Sequence, residues 1–192
     1  MVPLALHVDY WDYIGWKDPF AKREFSQRQR RLSQLQRAAL VYTPQVLLQG
    51  ADFPRWGSAA FADAVARINA QPARASLELE ITEARPTALV LRASAAVPSA
   101  TNAADAVLFV ATYENRLESR ITAGENRGRV LHHDRVVLEW RGPYGLGTRE
   151  VELPLLPKAQ SADSGVVAFV QNRHTGEVLQ ALSLAACTPG GL

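Results

Sequence analysis

Hydrophobic residues recur at two different spacings along this chain, and the change falls near Gln71-Pro72. Before it, Leu4-Ala5-Leu6 opens an apolar run over residues 4–9. The run is continuous rather than alternating, which predicts a strand covered on both faces, as in a parallel sheet. Asp18-Pro19 then predicts a helix start, with Asp as N-cap and proline at the first helical position. Phe25, Gln29, Leu32, Leu35 and Ala39 fall on one stripe at helical spacing. Arg23, Arg28, Arg31 and Arg37 lie mostly off that stripe and are expected on a solvated face. Residues 41–50 predict the next strand, with Pro44 at its entrance because proline inside would break the ladder. Ser58 is placed to cap a second helix with Phe61, Val65 and Ile68 on its buried side.

From Ala75 onward the period is two. Leu77, Leu79 and Ile81 alternate with Glu78, Glu80 and Thr82. Further strands are predicted around residues 89–93, 107–113, 130–140, 151–155, 166–171 and 178–184. Asn172-Arg173-His174-Thr175-Gly176 joins the last two as a hairpin. Many short strands with turn signals point to an antiparallel sandwich. The fold class is therefore α+β: an α/β unit over residues 1–72, then an antiparallel β-sandwich-like module over residues 73–192.

Composition narrows the functional classes. At 192 residues, 47% hydrophobic and 21% charged, the chain is ordinary for a globular protein. A net charge of +2 gives no case for a nucleic-acid partner. No run reaches the roughly 18 apolar residues of a membrane helix. Met1-Val2-Pro3 leads straight into the first predicted strand, so no signal peptide is expected in the chain as written. Cys187 is the sole cysteine, which excludes an intramolecular disulfide, a Cys-x-x-Cys pair and a cysteine-built metal site.

The densest candidate chemistry lies in His7-Val8-Asp9-Tyr10-Trp11-Asp12-Tyr13-Ile14-Gly15-Trp16-Lys17-Asp18. Aromatic rings crowd it just after a predicted strand end, where ligands collect in open α/β sheets. The same rings would also serve simply to pack a helix on the sheet. Asp9 is placed either to cap the loop or to tune a neighbouring group as a partly buried carboxylate. His132-His133-Asp134 suggests a metal only superficially, because adjacent strand residues point to opposite faces; no metal site is expected. Gly124-Glu125-Asn126-Arg127-Gly128 lacks the Gly-Lys-Ser/Thr ending of a phosphate loop and reads as a turn between strands. No Gly-x-Ser-x-Gly elbow occurs. No cofactor is called for.

The opening segment, together with Arg28-Gln29-Arg30, Tyr42-Thr43-Pro44-Gln45-Val46, Gly124-Glu125-Asn126-Arg127-Gly128-Arg129 and Ala168-Phe169-Val170-Gln171, resembles an exported bacterial family catalogued as domain of unknown function 1223. The resemblance spans essentially the whole chain. It implies a thioredoxin-like half followed by a β-rich half, a periplasmic or secreted location, and a protein thiol or disulfide as partner. It implies that Thr43-Pro44 is the Thr–cis-Pro element of that fold, against the alternative of a trans proline at a strand start. Asp9, Trp11, Tyr42, Thr43 and Pro44 would then rim the redox site. Glu125, Asn126 and Arg127 would form a family-specific loop, docking the β module onto the first half.

The chain departs from the family where the strand, Cys-x-x-Cys-Pro turn and helix would precede Leu4. Exchange needs an attacking thiolate and a resolving partner. The thioredoxin-like unit is thus expected to be incomplete, and the chain redox-inactive as written. The intact pattern downstream leads to the expectation that the natural product is longer, and that its full-length form is a thiol–disulfide oxidoreductase. The alternative is a cell-envelope binding module without redox turnover.

Overall fold

Strands β5 (Ala106–Glu114) and β10 (Ser164–Asn172) are apolar almost without interruption, and every residue of β5 is buried. The reason is that the sheet they centre is covered on both sides. In the structure, a computed structural model that describes residues 1–98, 103–155 and 163–186, β5 and β10 pair antiparallel from Ser164–Glu114 to Asn172–Ala106. The edges of this four-stranded sheet are β8 (Val136–Tyr144) and β11 (Val178–Ala185), in the order β11-β10-β5-β8. A three-stranded sheet of β3 (Ser76–Arg85), β4 (Ala88–Ala96) and β9 (Gly147–Pro154), ordered β3-β4-β9, lies against one face.

Alternation along the strands assigns the two faces. Leu108, Val110, Val166, Ala168 and Val170 point into the sandwich and meet Leu89, Leu91, Ala93, Val151 and Leu153. Val107, Phe109, Tyr113, Val167 and Phe169 point the other way. There they meet Val2, Leu4 and Trp140, while Phe25 packs on Ala111 and Val137 beside Leu6. The second layer is thus the N-terminal segment and helix α1 (Arg23–Leu35). The coarse expectation of an α+β chain with mostly antiparallel sheets is met. The alternation of β3 and the hairpin at residues 172–176 also form as expected.

Several local expectations are corrected. Residues 4–9 form no strand; Ala5 makes a single parallel bridge to Val136, through Ala5 N–H to Arg135 C=O at 2.8 Å and Val137 N–H to Ala5 C=O at 2.9 Å. Their apolar side chains lie on the outer face of the sheet rather than inside one of their own. Edge strand β8 then bulges, with Leu138 inserted between the partners of Tyr113 and Thr112, and the Leu138 carbonyl accepts from Lys22 Nζ. Residues 46–49 yield only β1 (Leu47–Leu48), paired antiparallel with β2 (Ala51–Asp52). Among the described residues, the two predicted strands at residues 4–9 and 41–50 are therefore not joined in one sheet.

Asp18-Pro19 opens a turn, not the helix: Phe20 N–H donates to Asp18 Oδ1 at 2.9 Å, Lys22 stays extended, and α1 starts at Arg23. Lys22 is held extended by its N–H bond to the His7 carbonyl at 3.1 Å. Helix α1 ends at Leu35, so Ala39 lies beyond the stripe. Helix α2 (Ala59–Asn69) has Ser58 at its N-cap, but the hydroxyl donates back to the Arg55 carbonyl instead of capping. The strand expected over residues 130–140 is split into β7 (Val130–His133) and β8 by a turn at Asp134-Arg135, where Arg135 has φ 56°. β7 pairs with β6 (Leu117–Arg120) as a separate ribbon. Gly50 (φ 89°) lets the β1–β2 turn meet the last hairpin: a Cβ there would lie 2.0 Å from the Gly176 carbonyl oxygen.

Candidate functional site

Chemistry-bearing residues of the first half converge on Ser26 and Gln29 of α1. Ser26, on α1, accepts the Asp9 N–H at 3.0 Å and donates its hydroxyl to Asp9 Oδ1. One turn on, Gln29 accepts from the Tyr10 hydroxyl at 3.0 Å and donates to the Tyr42 carbonyl at 2.8 Å and to Gln45 Oε1 at 2.9 Å. The helix thereby ties the segment after His7 to the Thr43-Pro44 loop. The peptide bond between Thr43 and Pro44 is cis.

The two segments meet directly. Trp11 Nε1 donates to Thr43 Oγ1 at 2.9 Å. The indole remains 45% exposed and Tyr13 78% exposed. Their ring centroids are 6.3 Å apart, and Tyr10 lies 5.5 Å from Trp11 on the other side. Thr43 and Pro44 are also exposed. The result is an open row of aromatic rings beside a polar, prolyl loop. Cavities of about 270 Å³ lie elsewhere, one lined by Gln36, Leu48 and Glu177 and another by Phe20, Lys22 and Glu139.

Of the sequence-predicted rim residues, Trp11, Thr43 and Pro44 are presented to solvent together. Asp9 is turned into α1 by Ser26. The Tyr42 hydroxyl donates to Asp52 Oδ1 at 2.9 Å, and its pKa is raised by desolvation, by that hydrogen bond and by the Asp52 charge. Asp52 is fixed in turn by its N–H to Gln36 Oε1 at 2.9 Å. The Glu125, Asn126 and Arg127 side chains are exposed, and the loop is closed by backbone bonds such as Gly128 N–H to the Ile121 carbonyl at 2.8 Å. The loop backbone nevertheless touches the first half: a Cβ on Gly124 (φ 78°) would lie 2.8 Å from Ile14 Cδ1. Cys187 lies outside the described residues.

Two features were not legible beforehand. Arg28, expected in solvent, is turned under α1 with its guanidinium carbon 4.7 Å from the Trp140 ring centre and 5.3 Å from those of Phe109 and Phe169. Burial, and secondarily the charge of Arg31, pushes its pKa down to about 10, so it stays cationic at neutral pH. The only signal was the aromatic content of the strands it covers. His7 Nδ1 pairs with Asp18 Oδ2 at 2.6 Å, and the His7 ring lies 5.0 Å from that of His133, with Phe20 edge-on to both at 5.7 Å. His132 points away, 3.3 Å from Glu118. Among the described residues, no group of three or more His, Cys, Asp or Glu side chains is arranged to hold a metal ion.

The comparisons agree on the frame. A family model described as "Protein of unknown function (DUF1223)" matches residues 1–171. An X-ray crystal structure of protein AGR_C_4864 from Agrobacterium tumefaciens is similar with a TM-score of 0.61 and 21% identity, over 98% of this chain and 82% of that one. HBP35 of Porphyromonas gingivalis is similar with a TM-score of 0.60 and 16% identity, over 84% of this chain and 58% of that one. At these identities the likeness is one of fold. No curated protein matches the chain.

Proposed function

The chain belongs to the family of proteins of unknown function DUF1223, and on that premise we propose that the face of Trp11, Tyr13, Thr43 and Pro44 binds extended polypeptide. The observation that carries the reading is the Trp11–Thr43 hydrogen bond, which fixes an exposed indole against an exposed loop. Small-molecule sites are concave and bury most of their ligand. An open aromatic row with adjacent polar groups suits a peptide backbone with side chains on alternate sides. Asp9, Gln29 and Tyr42 position the face from behind.

In a form of the protein carrying the Cys-x-x-Cys turn that the thioredoxin-like resemblance implies, this face serves thiol–disulfide exchange with protein substrates in the cell envelope. The chain as written, with Cys187 its one cysteine, binds without turnover. The test has two arms. Unstructured peptides with and without an intramolecular disulfide are titrated against the chain and against Trp11→Ala. Micromolar to millimolar binding that falls at least about tenfold in the variant, or 1.4 kcal/mol, supports the reading; equal binding by both refutes it. In the second arm a form carrying the dithiol is assayed for insulin reduction. Turnover supports the exchange role, and its absence leaves a binding module.

A further inference from the structure

The β6–β7 ribbon is fastened to the N-terminal half at two points. Its loop meets the 3-10 turn Asp12–Ile14 where Gly124 packs on Ile14. Its far end is held by His133, the last residue of β7, whose ring lies against His7 and Phe20. His133 Nε2 is buried and has no hydrogen-bond partner. His7 has spent Nδ1 on Asp18. Asp18 thus already serves His7, and Asp134 Oδ1 accepts the Arg116 N–H at 3.0 Å.

A buried imidazole with no acceptor is tolerated when neutral and costly when charged. His133 faces His7 and Asp18 across the junction, with His132 beside it on its own strand and Asp134 in the turn that follows. The Lys22 ammonium points away, to Glu139 Oε1 at 2.9 Å. We propose that His7, Asp18 and His133 form an acid-operated latch, which fastens the β6–β7 ribbon to residues 7–20 at neutral pH and releases it when His133 takes up a proton.

The electrostatics agree in direction. Burial, then the charge of His7 and that of His132, outweigh Asp18 and Asp134 and hold the His133 pKa below 6.5. Burial would raise Asp18, but the His7 hydrogen bond, the Phe20 N–H and both histidine charges bring it below 3.8. Asp18 therefore stays ionised over the range in which His133 gains its proton. Because the folded state prefers neutral His133, stability at the junction is lost as pH falls from the unfolded histidine value through the lowered folded one. The latch does not depend on the polypeptide-binding reading.

Amide hydrogen exchange over residues 117–133, corrected for intrinsic rates, tests it at pH 7.5 and 5.0. The ribbon of the wild-type chain should lose protection on acidification, about tenfold for each pH unit traversed between the two histidine values. His133→Phe keeps a ring in the aromatic contact without a titrating group, and His133→Gln removes the charge by another route. Both should keep ribbon protection at pH 5.0, while His132→Gln, at the exposed neighbour, should respond like the wild type. Equal wild-type protection at both pH values would overturn the latch, as would an undiminished acid response in both His133 variants.

Discussion

The two faces of the four-stranded sheet are made by alternate residues of the same strands, yet they are covered in different ways. The inner face is aliphatic: Leu108, Val110, Val166 and Val170 are fully buried against a second sheet. The outer face carries Phe109, Phe169 and Trp140, is covered by a helix and an irregular segment, and admits a cation, Arg28. Sheet-on-sheet packing commits the inward-facing side chains of both sheets to the core. A helix and an irregular segment leave some of theirs, Trp11 and Tyr13 among them, free for other work. The inner face holds the fold, and the outer face anchors the layer that carries the candidate site.

The comparison breaks most sharply by mutation of its two sides. Leu108→Ala should destabilise the protein by about 2–5 kcal/mol, the range for a large buried aliphatic truncated to Ala, and should lower the urea midpoint of all probes together. Arg28→Ala should cost about 2 kcal/mol, the scale of a desolvated cation–π contact together with the packing of the stem. Its effect should be confined to the outer layer: exchange in α1 and residues 2–6 accelerates while β5 and β10 stay protected. Coincident loss of protection across both layers in Arg28→Ala would erase the distinction between the faces.

A smaller effect sits at the rim of the inner face. Glu114 is buried, with Oε2 lacking a hydrogen-bond partner. Burial, then the Asp163 charge, raises its pKa above 4.5. The folded state thus prefers the protonated carboxyl, and stability falls as pH rises from the unfolded value through the raised folded one. Glu114→Gln should therefore gain about 1 kcal/mol at pH 7, the scale of one buried unpaired polar group, and nothing near pH 4. Denaturant melts at the two pH values read it; an equal gain at both would locate the effect outside ionisation. Trp11→Ala, at an exposed position, should change stability by less than about 0.5 kcal/mol.

The sandwich was legible because its strands obey simple periods. Leu77, Leu79 and Ile81 alternate, and the unbroken β5 and β10 report cover on both faces. The same rule misread residues 4–9, since Leu4 and Leu6 are apolar to lie on a sheet, not within one. Periodicity also could not tell that Arg28, off the apolar stripe of α1, would find a π-face under it; that depends on rings more than seventy positions away. The gathering of Trp11, Thr43 and Pro44 followed from the boxes of the resemblance. Gln29 belongs to the Arg28-Gln29-Arg30 box, but its bonds, like those of Ser26, rest on helix phase, which the box does not give. β6, with its Leu-Glu-Ser-Arg sequence, offers no apolar alternation to find.

The most direct test of the central claim is the two-dimensional amide and indole spectrum of the chain during titration with an unstructured peptide. If the outer layer carries a polypeptide-binding face, the Trp11 Nε1 resonance and the Thr43 amide shift first and saturate together, while Leu108, Val110 and Val166 stay in place. An unmoved Trp11 indole at saturating peptide, or shifts centred on the three-stranded sheet, would contradict it.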